Sequence, residues 1–387
     1  MTGARPAVAT AFAPATVANV AVGFDLLGFA ISGFGDTVTV RRIEEPTVRI
    51  VSSTWSPALA GAASRGTFPA PVGAVGRESG GGTGDGLPAG LPGAAGRPTP
   101  GGEAAPPLPG GPVSGRPATP GLLEPLPLDA AKNTAGVVLI GLREKLGLSF
   151  GFAVEVVKGI PLGSGMGGSA ASAVGALVAA NALLERPLPQ PDLFTLSLLG
   201  ETLAGGAPHG DNVGPCLCGG LLLARRVSPP DLLPLPVLPE LRAVVVHPHL
   251  RVDTKAARAI LKPAVPMAGF IAQTANLAGF VTACHTGDYD LLGRSLEDVV
   301  IEPQRAVLIP GFATAKAAAP AAGALGFSIS GSGPSVFALA RGDAAAERVR
   351  AAVRAVFADQ ALPCDEWVGP ISPRGAHLVG PGKPQAG

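Results

Sequence analysis

Residues 159–181 read GIPLGSGMGGSAASAVGALVAAN, and no other stretch constrains the chain as much. Five glycines fall between Gly159 and Gly168, and the loop runs without a break into an alanine-rich segment of helical character. Glycine lets a backbone turn tightly and come close to a ligand. The first turn of the following helix offers unpaired N–H groups and a partial positive charge. Together these make an anion site, most often for phosphate. Ser169 stands at the start of that helix, where a hydroxyl caps, binds phosphate or ligates a metal. A Gly-rich turn ahead of a buried helix is the plainer alternative, and the loop by itself leaves both readings open.

Other phosphate loops fit less well. Gly163, Gly165 and Gly168 have the spacing of a dinucleotide fingerprint. That fingerprint needs a second parallel strand after the helix, with an acid about 20 residues on. A proline-rich turn and another helix-like segment follow here instead. A Walker A loop needs Lys and then Ser or Thr after its last glycine, whereas Gly168 precedes Ser169 and Ala170. Neither Ser164 nor Ser169 lies in a G-x-S-x-G elbow, which removes the usual serine-hydrolase signal.

A chain of 387 residues, 47% apolar and 15% charged, has room for two ordinary domains with a substantial core. Its net charge of +1 gives no footprint for nucleic acid or an anionic membrane. Cys216, Cys218, Cys284 and Cys364 form no C-x-x-C pair. That suits a reducing compartment, and we expect a cytoplasmic protein. The most apolar segment, Ala170 to Leu184, is too short to span a bilayer.

Residues 7–13 read as a first strand. Residues 36–42 alternate as an antiparallel strand should, with 47–52 as its expected partner. Between 54 and 127 almost half of the residues are Gly or Pro without a collagen period, which predicts a disordered insertion in a surface loop. Ala135 to Leu146 has helical spacing and stops at Gly147, and Phe150 to Val157 is a strand leading into the glycine loop. The helix after Ser169 is apolar on nearly every face and should be buried. Further helices are expected at 192–203, 254–261, 270–286, 291–300, 308–324 and 344–357. Strands are expected at 221–224 and 242–247, and a strand, glycine turn and strand across 326–339. The second half thus alternates strands with helix pairs, an α+β pattern.

Polar residues interrupt apolar runs at a few places. Asn19 and Asp25 fit a loop that binds a polar small molecule as well as they fit a turn closed by an Asx cap. His209, Asp211 and Asn212, flanked by glycines, look like a polar site on a loop, with the same structural alternative. Thr254 is expected to cap its helix, with Arg258 on the surface. His247 and His249 lack a third metal ligand nearby.

Three stretches stand in one order: PATVANVAVGFDLLG, PLGSGMGGSAAS and GFSISGSGPSVFAL. They resemble the three-motif signature of the GHMP small-molecule kinases. HGDNVGPCLCGG, HPHLRVDTKAARAIL and EPQRAVLIPGF narrow that resemblance to the homoserine kinases. The resemblance implies a two-domain α/β (α+β) fold with the active site between the domains. An N-terminal ribosomal-protein-S5-like ATP-binding domain would span 1–225, with the insertion at 54–127. A ferredoxin-like α+β domain would span 226–387. It implies ATP- and Mg²⁺-dependent phosphorylation of the side-chain hydroxyl of L-homoserine in threonine biosynthesis, no nucleic-acid or membrane partner, and a homodimer.

By position, Pro161, Leu162, Gly163, Ser164, Gly165, Met166, Gly167, Gly168 and Ser169 would wrap the ATP phosphates, with Asn133 and Lys132 near the nucleotide. Ser169 and Glu201 would hold Mg²⁺. Asn19, Asp25, His209, Arg258 and Arg305 would bind homoserine, and Thr254 and Asn212 would sit near the transferred phosphoryl group. The residue types suit a zwitterion: paired arginines grip a carboxylate, and Asp25 balances an ammonium. The implied family lacks a dedicated aspartate base, and Asp211 is expected to orient rather than accept the proton. Met166 and Gly168 depart from the commoner GLGSSA, and Gly168 removes one hydroxyl near the phosphates.

Overall fold

The computed structural model describes residues 7–56 and 126–380. The expected disordered insertion lies outside the described residues, except at its ends. There Thr54 and Trp55 are still part of a strand.

The first sheet is built on two long N-terminal strands, β1 (Val8–Ala18) and β2 (Leu27–Ile43), which run antiparallel. Alternating burial along β2, with Val38 and Val40 fully inside, explains why residues 36–42 read so clearly as a strand. Beyond β2 comes β4 (Gly151–Lys158), antiparallel to it, and then β3 (Val48–Trp55) on the far side of β4. This corrects the expected pairing. β3 joins β4 in parallel instead of folding back on β2, because β4 takes the β2 edge first. The other half of β2 pairs with β5 (Leu221–Val227), which carries β6 (Pro230–Leu235) on its outer edge. The strands of this sheet therefore continue past residue 225.

Four helices accompany these strands in sequence: α1 (Thr134–Leu146), α2 (Gly168–Asn181), α3 (Gln190–Gly205) and α4 (Gly210–Cys218). In α2, ten residues from Ala170 to Ala180 are buried, as its all-round apolar character requires. Helix α4 is a second correction, since Gly, Asn and Pro residues had marked 205–220 as a loop. Val213, Cys216 and Leu217 enter the core, and that burial outweighs the weak local propensity.

The second sheet has the order β10 (Cys364–Gly369), β7 (Leu241–Pro248), β9 (Val336–Arg341), β8 (Ala324–Ile329), all antiparallel. Helices α9 (Phe312–Ala321) and α10 (Asp343–Asp359) share a core with it. The chain then returns, and β11 (His377–Val379) adds to the first sheet beside β1.

Four more helices bridge the strands of the second half: α5 (Thr254–Ala259), α6 (Met267–Thr286), α7 (Tyr289–Ser295) and α8 (Glu302–Arg305). Helices α5, α7 and α9 are shorter than periodicity alone predicts. By length and composition α6 is apolar enough to cross a membrane, with a mean hydropathy of 1.2. Its polar side chains nonetheless bond within the protein: Gln273 donates to the Val22 carbonyl and Asn276 to that of Glu297.

Candidate active site

The phosphate-type loop joins β4 to α2, and its backbone is held from both ends. At the entry, the fully buried Asp36 of β2 accepts from the amides of Gly159 and Ile160 at 3.0 and 3.2 Å. Its other oxygen takes Lys158 Nζ and the Ser172 hydroxyl. Lys158 also donates to the Gly168 carbonyl at 2.8 Å. A buried ion pair this fully hydrogen-bonded is tolerable where an incomplete one would not be. Neither Asp36 nor Lys158 was singled out from the sequence. The only signal was a lysine ending an apolar strand directly ahead of a glycine.

At the tip, Gly163, Gly165 and Gly167 take left-handed φ values of 64°, 80° and 68°. Sterics also demand glycine. A Cβ on Gly167 would lie 2.0 Å from the Thr16 hydroxyl, and one on Gly165 would lie 2.4 Å from the Ser330 carbonyl. These contacts bring all three sequence motifs together. The Ser330 hydroxyl donates to the Gly165 carbonyl at 2.8 Å, and the Ser335 amide to the Ser164 carbonyl at 3.1 Å. From the first motif, the Thr16 amide donates to the Met166 carbonyl at 3.2 Å. The Thr16 hydroxyl donates to Asn212 Oδ1 at 2.7 Å, which fixes Asn212 against the loop.

Helix α2 begins behind Gly167 with no side-chain cap, so its first-turn amides face the loop. The Ser164 hydroxyl is buried without a hydrogen-bond partner among the described residues. An orphan donor beside uncapped helix amides is what a phosphate oxygen satisfies. Ser169 Oγ donates to Glu201 Oε1 of α3 at 2.8 Å. Burial raises the Glu201 carboxyl above its usual range, and the Ser169 hydrogen bond partly offsets this.

The second half of the site is made of charged side chains. Asn19, Val20, Ala21 and Asp25 all have positive φ, between 39° and 69°. Non-glycine residues rarely adopt this conformation, and it costs on the order of 1–3 kcal/mol per residue. Asn19 holds the turn: its Oδ1 accepts from the Asp25 amide at 3.1 Å and its Nδ2 donates to the Gly331 carbonyl at 2.8 Å. Asp25 then meets Arg258 Nη2 at 2.7 Å and His209 Nδ1 at 3.5 Å. Arg305 is buried and donates to the carbonyls of Ala257 and Gly331, each at 3.1 Å. Burial and the Arg258 charge lower its pKa. Burial also lowers the His209 pKa, and its Nε2 has no partner among the described residues. Asp211 is pushed up to about 8 by burial and the nearby Asp25 and Glu201 carboxylates.

Thr254 lies 3.3 Å from the Ser332 hydroxyl, at the rim of the third motif. It is not the helix cap; Asp253 is, accepting from the Ala256 amide. Asn133 has a local structural task. Its Oδ1 accepts from the Ala135 and Gly136 amides to cap α1, and its Nδ2 donates to the Pro127 carbonyl. The amide is thus engaged in local structure. Lys132 pairs with Asp129 at the surface.

A glycine loop fused to an uncapped helix, a half-buried Ser paired with a buried Glu and a third motif locked onto the loop define a small-molecule kinase of the GHMP class. Residues 133–220 match the GHMP kinases N terminal domain, and residues 280–359 match the GHMP kinases C terminal domain. The homoserine kinase of Xanthomonas campestris pv. campestris is 44% identical over 371 residues, covering 96% of this chain and 94% of that protein. That of Chloroherpeton thalassium is 37% identical over 380 residues, covering 96% and 99%. The crystal structure of homoserine kinase from Cytophaga hutchinsonii superimposes with a TM-score of 0.77 at 36% identity, covering 98% and 99%. A mevalonate kinase from L. major, at 15% identity and TM-score 0.59, shares the fold. The chain belongs to the homoserine kinase family of ATP-dependent GHMP kinases.

Proposed function

We propose that this protein transfers the γ-phosphoryl group of ATP to the side-chain hydroxyl of L-homoserine, giving O-phospho-L-homoserine and ADP, a step of threonine biosynthesis. The observation that carries the residue assignment is the meeting of Asp25, His209, Arg258 and Arg305, with Arg305 tied to Gly331 of the third motif. Positive and negative groups side by side suit a zwitterionic acceptor. Mevalonate, shikimate and sugars lack that pattern of charge.

In this reading, the Gly163–Ser169 amides and the Ser164 hydroxyl bind the ATP phosphates. Arg258 and Arg305 receive the acceptor carboxylate, and Asp25 receives the ammonium. Asn212 and Thr254 flank the path between hydroxyl and phosphate and align the two for in-line attack. Phosphoryl transfer needs such positioning and charge neutralisation more than covalent help.

The Ser169–Glu201 pair fits Mg²⁺, which takes oxygen donors and commonly one or two carboxylates, with phosphate oxygens completing its shell. Bound there, the ion would neutralise phosphate charge. Asp211, pushed up to about 8 by burial and the Asp25 and Glu201 carboxylates, is assigned an orienting role and not that of the base. We further propose a cytoplasmic homodimer. Light scattering on the purified protein tests the dimer.

The experiment for the reaction is ADP release with Mg-ATP and a panel of homoserine, mevalonate, shikimate and galactose. Turnover with homoserine alone is expected. Turnover with another acceptor would keep the phosphate loop but discard the roles of Asp25, Arg258 and Arg305.

A further inference from the structure

Between Gly23 and Asp25 stands Phe24, which no motif argument assigned a task. Its ring lies beneath both substrate-site arginines. The Arg258 guanidinium carbon is 5.2 Å from the ring centroid and that of Arg305 is 5.1 Å. Two guanidinium groups on one aromatic ring require a reason, because like charges repel. The Arg258 charge does oppose that of Arg305. An aromatic face carries partial negative charge and attracts a cation within about 6 Å. It also excludes water from one side of each group, which strengthens the remaining electrostatics.

Each arginine has in addition tethers of its own. Arg258 is held by Asp25, and Arg305 by the carbonyls of Ala257 and Gly331. These tethers come from three separate parts of the chain. The Phe24 ring is in contact with both arginines, and the Asp25 charge acts on both as well. The strained turn from Asn19 to Asp25, with its run of positive φ values, fixes where that ring sits.

We propose that Phe24 is a positioning and specificity-determining residue: its ring holds Arg258 and Arg305 side by side as one carboxylate receptor. The acceptor is thereby selected as an alcohol that carries a carboxylate. Phe24 acts through the arginines and touches no reacting atom. This inference rests on the proposed homoserine kinase reaction.

The test compares wild type with Phe24→Leu and Phe24→Tyr, using Mg-ATP and two acceptors. One acceptor is homoserine. The other is 3-aminopropan-1-ol, which keeps the amine and the hydroxyl and lacks the carboxylate. Phe24→Leu keeps an apolar side chain but loses the ring face. It should raise KM for homoserine about tenfold, the scale of two cation–π contacts. KM for ATP should stay within about twofold, and the specificity constant for 3-aminopropan-1-ol should stay within about threefold, since neither involves the carboxylate receptor. Phe24→Tyr keeps the ring and should restore homoserine KM. Thermal melting of both variants checks that they fold.

Equal losses with both acceptors, or a matching rise in KM for ATP, would reduce Phe24 to a packing residue and overturn the proposal. Failure of Tyr to restore KM would do the same. Wild-type protein that turns over no homoserine would defeat the underlying reaction and this inference with it. Normal wild-type turnover with an unchanged Phe24→Leu variant would defeat the inference alone.

Discussion

The two ends of the active site are held together by different forces. At the phosphate end, contacts fix the backbone of the loop: Ser335 N to Ser164 O, Thr16 N to Met166 O, and the Asp36 carboxylate accepting two consecutive amides. At the acceptor end, they run through charged side chains that face one another: Asp25 with Arg258 and His209, and Arg305 beside them. Backbone bonds anchored in two sheets cannot exchange partners without moving the sheets. Side-chain ion pairs exchange partners by rotamer changes of modest cost. The loop at the proposed phosphate end is therefore preorganised. At the proposed acceptor end Asp25 and Arg258 pair with each other until a zwitterion of matching charges competes for them. Under the proposed assignment the comparison separates generic from specific: one end would serve the nucleotide, and the other would select the acceptor.

That contrast breaks most visibly at Glu201. Glu201→Ala should lower kcat by a factor on the order of 10³ while the protein stays folded, the scale expected when metal-borne charge neutralisation is lost. Steady-state ADP release with a melting curve checks both halves, and near-normal kcat would remove the Ser169–Glu201 metal assignment.

Next in size is Gly167→Ala. The added Cβ collides with Thr16 Oγ1 at a left-handed φ, so the loop must shift. A displacement of that kind costs about a hundredfold in catalysis, and it should appear in kcat/KM for ATP. If only KM for homoserine responded, the division between the two ends would be wrong.

At the acceptor end, Arg258→Ala should raise KM for homoserine about 10- to 100-fold, the value of one or two charge-assisted hydrogen bonds, and should leave KM for ATP nearly unchanged. Equal rises would show that the two ends are not separable.

A last effect falls on stability and not on rate. His247 is buried against Ser335, whose amide holds the phosphate loop, and His249 and Asp365 also face it. Burial lowers its pKa from 6.5 to about 4. The unfolded chain therefore binds a proton between pH 6.5 and 4 that the native state refuses. Stability rises with pH across that window and is lost as pH falls through it, by up to about 3 kcal/mol from this group. Urea midpoints of wild type and His247→Gln at pH 7 and pH 4.5 check this. The variant should lose less on acidification, and identical losses would show that His247 carries no such penalty.

Much of the fold was legible because its signals are local. The stop of α1 at Gly147, the apolar α2 and the period-two alternation of β2 each depend on residues a few positions apart. The elements that misled are those in which neighbours in space overrode neighbours in sequence. Helix α4 forms across glycines and a proline because its apolar side enters the core. Strand β3 misses its expected partner because β4 occupies that edge. Thr254 yields its capping task to Asp253, one residue away, since only backbone geometry distinguishes the two.

The sequence alone determined the glycine loop, the order of the three motifs and the charged residue types around them, since glycine spacing and charge are properties of the chain itself. Tertiary structure decided which of those residues meet. Asp36 finds Lys158, Asp25 finds Arg258, and Phe24 lies beneath two arginines from far along the chain. Contacts of such separation carry no local pattern. They arise when two sheets and their helices pack, because burial of apolar surface sets where each strand end falls and the polar groups left there must satisfy one another.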